Sequence, residues 1–268
     1  MKNARLLQNQ TALITGASRG IGRAAALLLA QAGAKVVLAA RSGAALHELV
    51  GEITQQGGAA LAVPADISRE DDVTRLFAKG ERAFGSVDIL VNNASVIQPF
   101  GKVWETDPAE WRRLLEINLF GSYLCTRAAV PGMLRRPSGR IIFISSGVAV
   151  KNLTGTSAYN SSKAGLERFC GTLAEELAGS GIVAAALRPG KVDTAMQVEI
   201  RDSDPAQFPR GDEWREVHRR GELLPPEIPA RAILWLASRF GATANGHTLS
   251  ISDPDFRARV EKDLKPYL

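Results

Sequence analysis

The chain has 268 residues, of which 45% are hydrophobic, 23% charged and 6% aromatic. These proportions fit one α/β domain and exclude a disordered chain, a collagen or a coiled coil. The net charge of +5 comes from basic residues scattered among acids, so it does not indicate a nucleic-acid binder, which needs basic and aromatic residues in clusters.

The start of the chain and its two cysteines bear on where the protein works. The apolar run before Gln8 is too short for a signal peptide, and no later stretch approaches the roughly 20 apolar residues of a membrane span. Cys125 and Cys170 lie in apolar stretches, so we expect buried free thiols rather than a disulfide. We therefore expect a cytoplasmic protein that makes no membrane contact.

Short aliphatic runs alternate with helix-like segments along the chain. Each run is too short for a helix and too continuously apolar for a strand with one wet face. Helix starts are indicated by Ser68, by Asp107 before Pro108, and by Ser157. The alternation predicts a single doubly wound, Rossmann-like parallel sheet over residues 1–268, flanked by helices on both faces. The predicted strands are 11–15, 35–40, 59–66, 87–94, 140–146, 182–190 and 247–252.

Two segments in the last third of the chain interrupt this rhythm. Residues 195–227 are rich in charges and prolines, which is typical of either a substrate-side loop or lid, or a solvated surface excursion. Residues 253–268 form a tail after the last predicted strand. We expect the substrate pocket to be walled by residues 97–101, 148–153 and the 195–227 segment, whose mixed side chains do not name a ligand.

The first predicted strand runs directly into the sequence TGASRGIG, residues 15–22, and then into a strong helix pattern. Gly16 can make the tight turn, Gly20 can let a pyrophosphate approach the backbone, and Gly22 can let the helix pack closely on the sheet. The phosphates would lie at the helix N-terminus. This motif predicts a nucleotide site.

The end of the second strand indicates which nucleotide binds. An NAD-binding domain usually carries an acidic residue here, whereas this chain has Ala39 and Ala40, followed by Arg41. A second arginine, Arg19, lies in the glycine loop. Two guanidinium groups would hold a 2′-phosphate by charge-assisted hydrogen bonds. We predict NADP as the cofactor, the alternative being that both arginines are solvated surface residues.

A tyrosine and a lysine four residues apart, Tyr159 and Lys163, would share one face of a helix. Tyrosine is a poor base because its pKa is about 10, but a nearby ammonium group favours the phenolate. Ser146 ends the preceding predicted strand, where its hydroxyl could donate to a substrate carbonyl or a developing alkoxide. The pattern indicates the proton donor of a ketone reductase, although the same spacing also fits a packed ring and a solvated amine.

Taken together, the ordered motifs resemble the classical short-chain dehydrogenases/reductases, from residue 9 to about residue 250. The resemblance implies that Tyr159 is the acid/base, that Lys163 lowers its pKa and binds the nicotinamide ribose, that Ser146 polarises the carbonyl, and that Asn118 holds a water in a proton relay. The motifs are TGASRGIG, ADI (65–67), NNAS (92–95), Asn118, Ser146, YNSSK (159–163) and RPGKVDT (188–194).

The same resemblance implies a set of cofactor contacts. We expect no metal site. Asp66 and Ile67 would contact the adenine, Asn93 the adjoining ribose region, and Val192 and Thr194 the nicotinamide amide and the phosphates. The remaining contacts would come from Gly16, Ser18, Arg19, Gly20, Ile21, Gly22 and Arg41, with Tyr159 and Lys163 at the nicotinamide end.

Three positions depart from the family pattern. Ser95 replaces the last glycine of NNAG and adds a side chain beside the cofactor cleft. Lys191 stands where a hydrophobic or aromatic residue is common, and it either points to solvent or favours an anionic substrate. The chain end lacks the glycine pair usual after the last strand, which weakens detailed predictions about subunit contacts.

We interpret the chain as an NADP(H)-dependent oxidoreductase that reduces a ketone or oxidises the matching secondary alcohol, with 3-oxoacyl thioester reduction as one subclass. An NAD(H)-dependent polyol or sugar dehydrogenase is the alternative that Ala40 and Arg41 disfavour. A catalytically silent cofactor-binding regulatory protein is disfavoured by the intact catalytic residues. The helices expected at about 104–134 and 157–178 carry more apolar and small residues than one sheet face can cover, and the resemblance implies that such a pair is buried against a second subunit. We therefore predict a homodimer or homotetramer.

Overall fold

The computed structural model describes residues 5–268, so the first four residues of the stretch considered for a signal peptide lie outside it. Within these described residues, seven strands form one parallel sheet in the order β3-β2-β1-β4-β5-β6-β7. This confirms the predicted doubly wound topology. The strands are β1 Thr11–Thr15, β2 Lys35–Ala40, β3 Ala59–Pro64, β4 Ile89–Asn92, β5 Gly139–Ile144, β6 Ile182–Arg188 and β7 Thr248–Ser250.

Helices cover both faces of this sheet, as the strand pattern predicts. Because side chains alternate along a strand, Leu13 of β1 faces one helical layer while its neighbours Ala12 and Ile14 face the other. One layer contains α1 Gly20–Gln31, α2 Gly43–Gln55, α9 Glu227–Ala237 and α10 Pro254–Leu264, and the other contains α3 Glu70–Phe84, α5 Gly121–Leu134 and α6 Ser157–Glu176.

The predicted helix starts are confirmed at two of three places. Asp107 caps α4, Pro108–Leu115, by accepting a hydrogen bond from the Ala109 amide at 2.7 Å, and α6 begins at Ser157. The prediction for Ser68 is wrong. Its hydroxyl donates instead to Asp66 Oδ1 at 2.6 Å, and α3 begins two residues later.

The irregular 195–227 segment contains two short helices, α7 Ala195–Arg201 and α8 Gly211–Arg219. Leu224 then returns to the sheet edge, where its amide donates to Lys191 O and its carbonyl accepts from the Asp193 amide, both at 2.8 Å. Apolar residues of the segment, Ile200 and Phe208 among them, are buried in one cluster with the ring of Tyr159. The segment therefore packs over the carboxyl edge of the sheet.

The C-terminal tail is part of the core. Its helix, α10, buries Phe256, Val260 and Leu264 in the same cluster as α9. The indole N–H of Trp235 in α9 donates to Asp263 at 2.8 Å. Loss of this tail would therefore expose the apolar face of α9.

Cys125 and Cys170 are buried free thiols, which confirms that prediction. Within residues 5–268, no helix combines the length and apolar character that crossing a bilayer requires. The same residues contain no cluster of three or more histidine, cysteine, aspartate or glutamate side chains suited to a metal ion.

Candidate active site

A cleft of about 890 Å³ lies along the carboxyl edge of the sheet, the edge at which parallel α/β sheets bind ligands. The loops that follow the first six strands contribute to it. It brings together nearly all of the predicted site residues, namely Gly16, Ser18, Arg19, Gly20, Ile21, Arg41, Asp66, Ile67, Asn93, Ser146, Tyr159, Lys163, Val192 and Thr194.

The glycine loop takes the conformation that its sequence predicts. Gly16 and Gly20 have φ angles of 65° and 56°, in the left-handed region that favours glycine. Gly22 does not line the cleft and is packed tightly against the loop. A Cβ at this position would be 2.4 Å from the Gly16 carbonyl oxygen and 2.5 Å from Asn93 Nδ2. Asn93 in turn donates to Thr15 O at 2.9 Å and to Gly16 O at 3.2 Å. Gly22 thus allows close packing against the glycine loop, and Asn93 fixes the loop backbone by hydrogen bonds.

Gly22→Ala should therefore weaken both folding and nucleotide binding. We expect a loss of about 1–3 kcal/mol in the free energy of unfolding, because the added methyl overpacks against backbone, and roughly a tenfold weaker affinity for a dinucleotide. Denaturant unfolding and fluorescence titration would measure the two effects. Gly51→Ala in α2 is the matched control, since its Cβ meets nothing within 4 Å, and it should leave stability unchanged or slightly raised. Wild-type values for Gly22→Ala would contradict this account of the loop.

The N-terminus of α1 is suited to an anionic ligand. No side chain caps this helix and its first turn contains no acidic residue, so its amide groups and the positive end of its dipole face the cleft unopposed. The residues present therefore fit the pyrophosphate of a dinucleotide.

Beside β2 and β3, the cleft lining combines two arginines with the carboxylate of Asp66. Arg19, with 65% of its side chain exposed, forms an ion pair with Glu199 of α7 at 3.4 Å. Arg41 lies at the cleft edge, next to the half-buried methyl of Ala40. Burial alone would raise the pKa of Asp66, but hydrogen bonds from Ser68 and Arg113 outweigh it and hold that pKa below its usual value. Asp66 is therefore an anion whose acceptors are already engaged.

Tyr159 and Lys163 lie on one face of α6 and are both buried. Lys163 Nζ is 5.6 Å from the centroid of the Tyr159 ring and donates to the Ile144 carbonyl at 2.8 Å. Burial lowers the pKa of Lys163 to about 7, although the negative charge of Glu167 acts to raise it.

The prediction that Lys163 brings the Tyr159 pKa below its usual value is not met. Burial raises the pKa of Tyr159 to about 12, and the nearby Ser146 hydroxyl offsets only part of that rise. The reason is that the ring lies in an apolar cluster, where the phenolate loses its hydration. At neutral pH Tyr159 is consequently protonated and able to donate.

Asn118 lies in a π-helical turn, Glu116–Phe120, between α4 and α5, and is outside the cleft lining. Its Oδ1 accepts from the Val96 amide at 2.9 Å, and its Nδ2 donates to Val96 O at 2.8 Å and to Ser162 Oγ at 3.2 Å. The side chain thus fixes the loop after β4. The water relay implied by the resemblance stays a prediction.

The opposite end of the cleft is predominantly apolar. Each of the three segments predicted to wall the pocket contributes to this lining, and the sulfur of Met196 lies 4.0 Å from the Tyr159 hydroxyl. The apolar lining comprises Val96, Ile97, Val148, Leu153, Met196, Ile200 and Trp214.

Two departures from the family pattern have structural outcomes. Ser95 lines the cleft, as predicted, and its hydroxyl is buried without a hydrogen-bond partner. Lys191 is exposed outside the cleft lining, with Nζ 5.3 Å from the centroid of the Trp214 ring. The Lys191 charge therefore lies outside the cleft, near Trp214 of the cleft wall.

Comparison with known proteins decides the family. The sequence model of the family described as short chain dehydrogenase matches residues 10–205. This chain belongs to the short-chain dehydrogenase family. It is therefore an oxidoreductase that uses a nicotinamide cofactor and has the Rossmann-like fold of that family.

Three members of the family are among the most similar proteins. A 3-oxoacyl-[acyl-carrier-protein] reductase of Synechocystis is 39% identical over 203 residues, which cover 75% of this chain and 82% of that protein. A crystal structure from Beutenbergia cavernae, named as a candidate NAD(P)-dependent gluconate 5-dehydrogenase with bound NADP, has 33% identity and a TM-score of 0.82, covering 92% of this chain and 96% of that one. A 3-ketoacyl-(acyl-carrier-protein) reductase of Brucella melitensis, complexed with NADH, has 33% identity and a TM-score of 0.81, covering 91% and 97%.

Proposed function

We propose that this short-chain dehydrogenase reduces a ketone with NADPH, or oxidises the matching secondary alcohol with NADP. The observation that carries the proposal is that the candidate catalytic residues and the two arginines line different parts of the same cleft. Ser146, Tyr159 and Lys163 line the cleft beside the end of β5, whereas Arg19 and Arg41 line it after β1 and β2, on the other side of β4 in the sheet.

The cofactor would be held along the whole cleft. The amides of the glycine loop and of α1 would bind the pyrophosphate, and Arg19 and Arg41 the 2′-phosphate. Asp66 and Ile67 would contact the adenine. At the far end, Asn93, Lys163, Val192 and Thr194 would position the riboses and the nicotinamide. When bound, the nicotinamide supplies or accepts the hydride.

The protein's own part in the reaction is proton transfer and orientation. A protonated Tyr159 would give its proton to the carbonyl oxygen as negative charge develops there. The Ser146 hydroxyl would polarise the same oxygen. Lys163, held by the Ile144 carbonyl, would supply positive charge beneath the phenol. With a substrate bound, the surrounding apolar side chains would limit the access of water, which would strengthen each of these interactions.

The lining of the cleft favours a substrate with an apolar body. The charged residues that line it are Arg19, Arg41, Asp66 and Lys163, and each of these would act on the cofactor or in catalysis. A 3-oxoacyl thioester suits this wall better than a polyhydroxylated sugar acid, whose hydroxyls would lie against Ile97, Leu153 and Ile200. The similarity to a 3-oxoacyl-[acyl-carrier-protein] reductase supports the same class.

A panel of carbonyl compounds tests the proposal, with NADPH oxidation followed at the nicotinamide absorbance. We expect turnover with 3-oxoacyl thioesters and other apolar ketones, and little with keto-sugars. Turnover with keto-sugars and NADH alone would support the polyol dehydrogenase alternative instead.

We also infer that the chain works as one domain, with residues 195–227 as the substrate-side loop. The buried free thiols of Cys125 and Cys170 support a reducing compartment such as the cytoplasm.

A homo-oligomer is the third part of the proposal. Phe120 and Tyr123 are 47% and 41% exposed on the surface of the π-helical turn and α5, and they flank an apolar groove that includes Leu119 and Phe169. A second copy of this chain, meeting the groove about a two-fold axis, would bury these residues.

Tyr123→Glu should therefore convert a dimer or tetramer into smaller species, because the new carboxylate would have to be desolvated in the contact. Size-exclusion chromatography with light scattering measures the result. Val198→Glu is the matched control, since Val198 is 44% exposed on α7, away from the groove. A wild-type chain that is monomeric at micromolar concentration would contradict the proposed oligomer.

A further inference from the structure

The carboxylate of Glu167 lies behind the proposed reacting groups. It is on α6, one turn after Lys163 and two turns after Tyr159, so that all three share one helix face. Only 12% of its side chain is exposed, and it is not among the residues that line the cleft. Glu167 therefore has no access to a substrate in the cleft.

Its contacts join three elements of the fold. Oε1 accepts hydrogen bonds from Ser145 Oγ at 2.7 Å and from Arg188 Nε at 2.8 Å, while Oε2 accepts from Arg188 Nη2 at 2.6 Å. Ser145 immediately precedes Ser146 at the end of β5. Arg188 is the last residue of β6 and begins the loop that leads to Val192. The carboxylate thus ties the carboxyl ends of two strands to α6.

The same carboxylate acts on Lys163 through its charge. Lys163 is 2% exposed, and its amine donates to a neutral carbonyl. Burial, which favours the neutral amine, lowers the Lys163 pKa, and the charge of Glu167 opposes that effect. The positive charge of Arg188, which pairs with Glu167, partly cancels the effect of the Glu167 charge on the Lys163 pKa.

The other surroundings of Lys163 contribute little charge. Tyr159, on the same helix, is protonated at neutral pH. From β5 the amine meets the Ile144 carbonyl, with the neutral hydroxyls of Ser145 and Ser146 following it in the chain. Asn118 in the π-helical turn is also neutral. Glu167 and Arg188 are therefore the charged side chains that decide between the ammonium and the neutral amine form of Lys163.

We propose that Glu167 is a positioning residue for the reaction, which keeps Lys163 in its ammonium form and fixes the Ser146 strand end and the β6 loop relative to Tyr159. The inference rests on the proposed function, because Lys163 belongs to the proposed site. An amine that lost its proton would neither hold a ribose hydroxyl as strongly nor support charge on the phenol.

Glu167→Gln tests the inference, since it removes the charge and retains the shape. We expect the pKa of Lys163 to fall by about one unit. It would be measured without substrate by NMR of protein labelled with ¹³C at the lysine ε-carbon, with the signal assigned from Lys163→Arg. The ammonium is the active form, so kcat falls as pH rises through this pKa, and the fall should move to lower pH in Glu167→Gln.

Arg188→Gln provides a second variant, which should shift the Lys163 pKa in the opposite direction. Removing the guanidinium leaves the Glu167 charge unopposed, so the Lys163 pKa should rise. Glu167→Asp retains a carboxylate and should recover most of the Lys163 pKa that Glu167→Gln loses. Glu176→Gln, an exposed position on the same helix, is the matched control and should shift neither the titration nor the pH profile.

An unchanged Lys163 titration in folded Glu167→Gln would overturn the inference and leave Glu167 a purely structural role. Should Glu167→Gln not fold, a fall or no change of the Lys163 pKa in Arg188→Gln would overturn it equally. Because the titration needs no substrate, it does not depend on turnover. Failure of the proposed reductase activity would show in the carbonyl panel and leave the titration result as it stands.

Discussion

Replacing Tyr159 by phenylalanine should reduce kcat by about 10² to 10⁴, the usual contribution of a positioned proton donor. The ring would still fill its place in the apolar cluster with Ile97, Ile200 and Phe208, so the fold and the affinity for NADPH should stay close to those of the wild type. The loss should therefore be confined to the chemical step.

Rapid-mixing measurements of NADPH oxidation under single-turnover conditions would isolate that step. Tyr267→Phe is the matched control, because Tyr267 receives its hydrogen bond from Arg239 at the C-terminal surface, and it should keep wild-type turnover. If Tyr159→Phe kept more than a tenth of the wild-type rate with chemistry rate-limiting, another group would have to be the proton donor.

The wild-type enzyme should prefer NADPH over NADH by roughly 10² in kcat/KM. A hydrogen bond to a charged group contributes roughly 1.5–3 kcal/mol, and the exposure of Arg19 and Arg41 reduces that contribution through solvent screening. Glu199, which pairs with Arg19, would also compete with a phosphate for that guanidinium. A preference of 10² corresponds to about 2.7 kcal/mol shared by two such arginines.

The double change Ala40→Asp with Arg41→Ala should invert this preference. The new carboxylate would accept a hydrogen bond from a ribose hydroxyl and repel a phosphate. Steady-state kinetics with both cofactors measures the ratio, and added salt should weaken NADPH binding more than NADH binding. Equal efficiency of the unmodified enzyme with both cofactors would reject the role given to the two arginines.

The fold could be predicted from sequence because each strand carries its own signal. A strand buried on both faces, such as β1, has to be apolar throughout, and the glycine loop has to lie where a strand meets a helix. The error at Ser68 shows the limit of this reasoning. A serine two residues after an aspartate can either cap a helix or bind that aspartate, and only the tertiary position of Arg113, which also binds Asp66, favours the second.

The site was predictable in composition but not in its electrostatics. Spacing alone places Tyr159 and Lys163 on one face, yet the direction of the Tyr159 pKa depends on how many apolar groups surround the ring, and these come from distant segments. Glu167 had a usable signal, since it follows Lys163 by four residues. Its partner Arg188 is distant in sequence, and only the neighbouring positions of β5 and β6 in the sheet bring it close.

Hydride transfer to a carbonyl carbon is the central claim, and a deuterium label tests it most directly. The enzyme would be incubated with an apolar ketone and NADPH deuterated at the transferable C4 position, and the alcohol product analysed by mass spectrometry. With the wild type, the alcohol should carry the deuterium on its carbinol carbon, whereas Tyr159→Phe should form almost no labelled alcohol in the same time. Tight NADPH binding without label transfer to any ketone of the panel would contradict it.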